Sequence, residues 1–398
     1  MSRMRAVLTA LACVFVVGNA SATSYGVAAV PGLPGTIAMV PTGINSSGMV
    51  VGYGYTPEGL WKAFIGDATS ASFIPTLGGQ YSKALGLNDA GQVVGFSQTN
   101  VPGEYRPFLY QPGASPIDLG TLGGRSSFGN AINNAGLVVG FSGTVPPFDG
   151  PFGAFTVSAG TPPAKVNLTA LSATGSSVAY GINSAGAVTG QVNLTEDGSL
   201  VVAYVANSSG ATAIPSFGGT HSTGWDINDS GFVVGEASLP NGMAHAFLFN
   251  GTTTKDLGLV DNPGLPTSPR HGAPLQAAAT AINNAGVAVG NIYYDGEGHG
   301  FVYEDGRMVN LNTALVGVAF GDWVITDATA IGETGLIAAY GYRPGQFVGT
   351  ALILTPTAVP EPAAAVLLVA GVLGIALKMW RPRRRGSFQA YVWKRVEP

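Results

Sequence analysis

An all-β fold built from one repeated four-stranded unit is what this sequence predicts, and three observations carry the prediction. Glycine and proline are abundant and evenly spread, with 59 Gly and 26 Pro in 398 residues. Each Gly inside a helix costs roughly 0.5–1 kcal/mol relative to Ala, so this content disfavours long helices and suits short strands joined by tight turns. Hydrophobic residues make up 46% of the chain and charged residues 10%, against about 25% charged in ordinary soluble domains. Such a chain can bury a large core. The third observation is that its middle is periodic.

The clearest element of the period is an Ile-Asn turn followed by a Val-Val-Gly strand. Ile44-Asn45-Ser46-Ser47-Gly48 leads into Val50-Val51-Gly52, and Leu87-Asn88-Asp89-Ala90-Gly91 into Val93-Val94-Gly95. The pattern returns at Ile132-Asn133, Ile182-Asn183, Ile227-Asn228 and Ile282-Asn283, and in degenerate form at Ile331, where Gly332-Glu333-Thr334-Gly335 replaces the Asn-led turn. Seven units at a mean spacing of about 48 residues belong to the class of propellers and solenoids. Each unit adds an Ala-Phe-Leu-Tyr-like strand, as at Pro107-Phe108-Leu109-Tyr110 and Ala246-Phe247-Leu248-Phe249. A further segment of the type Asp118-Leu119-Gly120-Thr121-Leu122-Gly123-Gly124 is expected as the fourth strand, with relatives at 75–79, 215–219 and 256–258. Four antiparallel strands per unit make a propeller blade, and radial closure removes the exposed edges of a linear array. The prediction is a seven-bladed β-propeller of four-stranded antiparallel blades over residues 23–357. The segment 27–35 resembles the strand that unit seven lacks, so the N-terminal strand is expected to complete the last blade.

Turn chemistry explains the motif on structural grounds. Asn can bond to backbone two residues on, and Gly supplies the positive φ that the turn requires. The alternative takes Asp89, Asp226 and Asp229, with neighbouring Asn, as calcium ligands, but the calcium-loop spacing is not matched. The insert 261–276, with four prolines, is expected as a long surface loop.

Both ends carry targeting features. Arg3 and Arg5 precede an apolar run over 6–18, and Ala20-Ser21-Ala22 offers the small-residue pattern cut by signal peptidase, with Thr23 as the new N-terminus. Residues 1–22 are therefore expected to be a signal peptide. A second apolar run, 363–377, predicts a C-terminal hydrophobic helix. It follows Val359-Pro360-Glu361-Pro362 and precedes the basic cluster Arg381, Arg383, Arg384 and Arg385. At 1.5 Å per residue this helix covers about 22 Å, and Met379 and Trp380, with Lys378 snorkelling, bring it close to spanning a bilayer. The Arg cluster would hold the C-terminus in the cytoplasm. Nine of the 18 Lys and Arg sit at these two ends, which leaves residues 23–357 with nine basic and 20 acidic side chains. That balance argues against nucleic acid and anionic lipid as partners.

The repeated Ile-Asn-x-x-Gly-x-Val-Val-Gly, the His245-Ala246-Phe247-Leu248 strand and the segment 118–124 resemble the HAF family of bacterial extracellular repeats over roughly residues 25–355. The tail, 358–385, resembles a PEP-CTERM sorting signal, with motif, helix and basic cluster in order; residues 386–398 form a polar extension beyond the point where such signals usually stop. The two resemblances imply a secreted Gram-negative protein, held in the inner membrane by its C-terminal helix. An exosortase would then cut near Pro360-Glu361-Pro362 and release the propeller to the cell surface or an exopolysaccharide matrix.

Chemistry-bearing motifs are sparse. The sole cysteine, Cys13, lies in the leader, so disulfides, thiolate zinc sites and thiol nucleophiles are excluded from the mature chain. His221, His245, His271 and His299 form no short metal spacing, and neither a nucleophile elbow nor a phosphate loop occurs. No cofactor is expected. Acidic pairs such as Asp295 with Glu297, or Glu304 with Asp305, have the composition of glycosidase carboxylates without any indication of the required separation. Two readings stand: a non-enzymatic propeller for adhesion or for carbohydrate or protein interaction, and a propeller hydrolase or lyase acting on extracellular polysaccharide. Trp61, Tyr105, Trp225, Tyr293 and Tyr294 are the candidate ligand-stacking aromatics, with capping of hydrophobic blade edges as the alternative role.

Overall fold

The computed structural model describes residues 23–145, 150–171, 175–258, 276–294, 297–317, 322–346 and 348–357. These residues form seven four-stranded antiparallel sheets, each the blade of a propeller. Blades one to six are consecutive in sequence, over residues 38–73, 78–118, 127–165, 177–214, 222–256 and 276–310. Blade seven takes three strands from 324–357 and its outermost strand from the N-terminus, Ser24–Ala29. The expected closure is found: Val27 pairs with Leu354, and Val30 N donates to Ala351 O at 2.9 Å. Tyr25 anchors this closing strand, being 2% exposed among Leu311, Ile325, Leu352 and Leu354.

Within each blade the first strand lies nearest the central channel and ends at the Asn-led turn, so that the seven turns surround one channel mouth. The turn glycines, from Gly48 to Gly335, all have φ between 75° and 84°, the left-handed region that favours Gly. One residue of every first strand bulges out of register, as Asn130 does between Gly129 and Ala131. The bulge explains the Gly of Val-Val-Gly. At Gly140 a Cβ would stand 1.9 Å from the Phe128 carbonyl oxygen, and Gly52, Gly95, Gly190, Gly235 and Gly290 repeat that approach within 2.0 Å. The same Gly pairs with the aromatic residue of the third strand: Gly140 with Phe155, Gly52 with Phe64, Gly190 with Tyr204. Six such rings, each under 2% exposed, fill the spaces between blades. Blade seven solves the packing differently. Ala339 replaces the Gly, Leu352 replaces the ring, and the inner strand carries a second bulge, at Thr326.

One expectation is corrected. In blade two the outer strand is only Ile117–Asp118, and residues 119–124 are not a strand but the crossing from the outer edge of that blade to the inner strand of the next. Reversing direction over a few residues needs left-handed backbone, supplied by Gly120 (φ 81°) and Gly123 (φ 119°), while buried Leu119 pins the crossing to the core. Segments 75–79 and 215–219 likewise follow the outer strands Ala71–Phe73 and Gly210–Ile214.

The expected signal-peptide residues Ala20 and Ala22, the expected loop over 261–276 except for Gln276, the C-terminal helix over 363–377, the motif Val359 to Pro362, the cluster Arg381 to Arg385 and the extension 386–398 lie outside the described residues; Gln276 is not loop but opens the strand Gln276–Ile282. Thr23 is described, and its hydroxyl donates to Glu304 Oε2 at 2.6 Å. Among the described residues no helix is long and apolar enough to cross a membrane.

Candidate functional site

The two ends of the channel are built differently. At the Asn-turn end each blade repeats the same chemistry. Asn133 Oδ1 accepts from Ala135 N and Leu137 N of its own turn, at 3.1 and 3.0 Å, while its Nδ2 donates to Asn183 O of the next blade at 3.0 Å. The same blade-to-blade bond runs from Asn45 to Asn88, Asn88 to Asn133, Asn183 to Asn228, and Asn228 to Asn283, at 3.1–3.2 Å. A longer bond of 3.5 Å joins Asn283 to Gly332 O. Blade seven has no Asn to give, and Thr334 Oγ1 closes the circle on Ser46 O at 3.3 Å. All six Asn are at most 7% exposed, so each bond replaces one that water cannot supply.

A second tier lies outside this ring. Ser46 N donates to Asp89 Oδ1, Ser184 N to Asp229 Oδ1, and Asn284 N to Glu333 Oε2, at 2.8–3.0 Å. Burial tends to raise the Asp89 and Asp229 carboxyls, but these bonds outweigh it and hold both below the ordinary carboxylate range. Two of the candidate calcium ligands thus act as blade-to-blade acceptors, and no group of three or more metal-ligating side chains occurs among the described residues.

The third, Asp226, departs from the repeat. It occupies the position held by Gly43, Gly86, Ala131, Gly181, Ala281 and Ala330 in the other blades, and lines a mouth cavity of about 220 Å³. Its carboxylate accepts from Ile227 N at 2.8 Å and from Ile282 N of the next blade at 2.9 Å. Burial nevertheless pushes the carboxyl up to about 7, because two neutral donors do not restore the hydration lost by a charge.

Toward the other end the blades cease to resemble one another. The residue after Val-Val-Gly is Tyr53, Phe96, Phe141, Gln191, Glu236 or Asn291, with Tyr340 in blade seven, and each pairs across to an equally variable inner-strand residue. Aromatic rings dominate blades one to three. Phe128 meets Phe96 edge-on and stacks on Phe141, both at 4.8 Å, and Phe141 meets Phe152 at 5.3 Å. Farther round, the bulge residues Tyr180 and Trp225 bring their rings to 4.5 Å across blades four and five. Most of these rings are half-buried, while Phe96 is buried. Glu236 lies beside Trp225 and is raised by burial, with the indole opposing that shift. Asp327 accepts from Asn291 Nδ2 at 2.9 Å.

Of the aromatics singled out from sequence, Trp61 meets Tyr81 at 5.2 Å and lies 4.7 Å from the ammonium of Lys83, the partner of Phe96, and Tyr105 meets Phe96 at 5.9 Å, so both border this layer. Trp225 is the bulge residue of the inner strand of blade five, with its ring against Tyr180. Tyr293 is 48% exposed, with its hydroxyl 3.5 Å from Asp327. Tyr294 lies at the end of the strand Ala288–Tyr294, paired with Glu297. Sequence reading missed Tyr53, Lys83, Phe128, Phe141, Glu236 and Asp327. The signal was present: aligning the seven units shows that the position after Val-Val-Gly varies while its neighbours repeat. Of the histidines, His245 Nδ1 pairs with Asp256 Oδ2 at 2.9 Å across adjacent strands, and burial lowers His221.

No protein-family model matches the sequence, and no curated protein matches it. Among solved structures the chain is similar to the lectin of Aleuria aurantia, a six-bladed β-propeller with fucose recognition, at 10% identity and a TM-score of 0.33 over 85% of this chain and 98% of the lectin. A mutant of that lectin in complex with Fucα1-6GlcNAc gives the same values. A complex with α-methyl-L-fucoside gives a TM-score of 0.28, over 85% of this chain and 97% of the lectin. The lectin has six blades where this protein has seven, and no residue is carried from one to the other.

Proposed function

We propose that this protein is exported to the cell surface or an exopolysaccharide matrix, where its propeller acts as a non-enzymatic carbohydrate-binding module. The observation that carries the binding role is the layer of half-buried aromatic rings at the end of the propeller where the repeats diverge. Repeated residues hold the blades together, so a residue type that varies from blade to blade is free of that duty. Half-buried rings, neither sealed in the core nor fully solvated, suit the C–H surface of a pyranose. Export rests on the leader over 1–22 and on the Pro360-Glu361-Pro362 tail, with signal peptidase and exosortase as the processing partners. The test of binding is a glycan screen of the mature protein from its host, with binding of at least one glycan class expected and no binding to any contradicting it. The test of export is mass spectrometry of the mature C-terminus: cleavage near Pro362 is expected, and a protein retaining Arg383 to Arg385 would instead be a membrane-anchored one.

A second reading has its own observation. Glu236, raised by burial beside Trp225, has the character of a general acid, and Asp327 of the same layer supplies a further carboxylate. A hydrolase or lyase would release new reducing ends from polysaccharide, and Glu236→Gln would abolish that release.

A further inference from the structure

The inner strand of blade two carries Lys83 where the other blades carry Val40, Phe128, Val178, Thr223, Ala278 and Asp327. Its side chain crosses the cleft between blades one and two. The ammonium lies 3.9 Å from the Tyr53 ring centroid and 4.7 Å from that of Trp61. Tyr81, two residues before Lys83, closes on Trp61 edge-on at 5.2 Å, and Tyr55 meets Tyr53 at 5.4 Å. The cleft is thus walled by rings from both blades, with one cation among them, and all five side chains are half-buried.

Lys83 is a half-buried cation that pairs with no carboxylate among the described residues, as is Lys62 over the Phe73 ring, but Lys83 alone of the two lies between two rings of the neighbouring blade. Lys255 also sits against a ring, but gives a hydrogen bond to Tyr303 Oη at 2.7 Å, and Arg106 pairs with Glu104 at 2.6 Å. Among the described residues no carboxylate pairs with Lys83 and no acceptor takes its N–H groups. Burial holds it below the usual lysine range. The two rings offset part of that cost, at roughly 0.5–2 kcal/mol for a cation over an aromatic face, yet offer no acceptor oxygen to its three N–H groups. In a propeller with 20 acidic side chains and nine basic ones, a partner carboxylate is the easiest thing to supply, and here none is present.

We propose that the cleft between blades one and two binds a sugar bearing a carboxylate, with the pyranose ring against Trp61 and the carboxylate on the Lys83 ammonium. The proposal rests on the carbohydrate reading and specifies its ligand. Charge on the ligand would be read at contact distance, because the acidic propeller as a whole repels polyanions. A single acidic residue exposed in a glycan fits these conditions better than a nucleic acid or a lipid surface, which present many charges at once.

The experiment is isothermal titration of the full-length protein with the methyl glycosides of glucuronic and galacturonic acid and of their neutral counterparts, glucose and galactose. At least one uronoside is expected to bind tenfold or more tightly than its neutral counterpart. Lys83→Met should erase that preference, and Lys83→Arg should retain most of it. Melting temperatures of both variants check that the fold survives, and the Arg variant keeps the test open should the Met variant unfold. Equal affinity for acidic and neutral sugars would overturn the proposal while leaving carbohydrate binding standing, as would a preference unchanged in Lys83→Met. Absence of binding to all four, with a negative glycan screen, would overturn both.

Discussion

Nδ2 of Asn133 donates to the backbone carbonyl of Asn183, one blade and 50 positions away, at 3.0 Å, while Oδ1 of the same side chain accepts from Leu137 N of its own turn. One amide therefore shapes a turn and joins two blades. The joint works only because the amide has a donor at one end and an acceptor at the other. Repeated around the channel, this arrangement makes the Asn-led turn the seam of the propeller.

The seam predicts a particular pattern for Asn133 variants. Asn133→Ala leaves a buried carbonyl and two turn N–H groups without partners, and should cost about 2–3 kcal/mol in denaturant unfolding. Asn133→Asp keeps the acceptor but turns a carboxylate oxygen toward the Asn183 carbonyl, so at pH 7 it should be at least as damaging. Protonation restores a donor there, so the folded state raises the introduced carboxyl above its unfolded value. Stability should then rise as the pH is lowered toward about 4, the ordinary carboxylate range. An Asn133→Asp variant as stable as wild type at pH 7 would show that the inter-blade bond contributes nothing.

Gly140 should tolerate no side chain. A Cβ there would lie 1.9 Å from Phe128 O, and backbone cannot yield as a flexible side chain would. Gly140→Ala should cost more than about 3 kcal/mol, whereas Gly160→Ala, at φ +77° with nothing within 4 Å, should cost about 1 kcal/mol. Adding Phe155→Leu, to imitate the Ala339 and Leu352 pair of blade seven, should not rescue Gly140→Ala, because blade three lacks the second bulge at Thr326. Thermal denaturation of the three variants decides this.

Asp226 should give the protein a pH-dependent stability. Its folded carboxyl is raised to about 7 by burial, against about 3.9 in an unfolded chain. A raised carboxyl means that the folded state holds its proton more tightly, so the contribution is complete below about pH 4 and is lost as the pH climbs to about 7. Between about pH 5 and 8 the wild type should lose on the order of 2 kcal/mol from this group. Asp226→Asn cannot ionise and should flatten that slope, though its amide can accept from only one of the Ile227 and Ile282 N–H groups. Parallel pH slopes for wild type and variant in unfolding would contradict the assignment.

Sequence spacing made the blade count, the closing strand and the turns legible, because Ile-Asn-x-x-Gly and Val-Val-Gly each answer to a local backbone requirement that recurs in every unit. The Asp118–Gly124 segment was misread as a strand because its conspicuous residues, Gly120 and Gly123, serve the crossing between blades rather than the sheet. The joining role of Asn133 was invisible, since the partner lies 50 positions away and the turn alone accounts for an Asn. Trp61, Tyr105 and Trp225 could be picked out as aromatics. That Lys83 reaches Tyr53 and Trp61 across a cleft depends on how neighbouring blades face one another, and no motif within one unit records it.

The central claim is that this protein binds carbohydrate with the end of the propeller where the repeats diverge, and not with the Asn-turn mouth. The most direct measurement compares glycan binding by wild type with that of Trp61→Ala and Tyr105→Ala on one side and Asp229→Ala on the other, each first checked for an intact melting transition. The account predicts that wild type binds, that at least one aromatic variant weakens binding tenfold or more, a cost consistent with the loss of a stacked ring, and that Asp229→Ala binds as wild type does. Loss of binding in Asp229→Ala with both aromatic variants unaffected would place the site at the opposite mouth and contradict the claim.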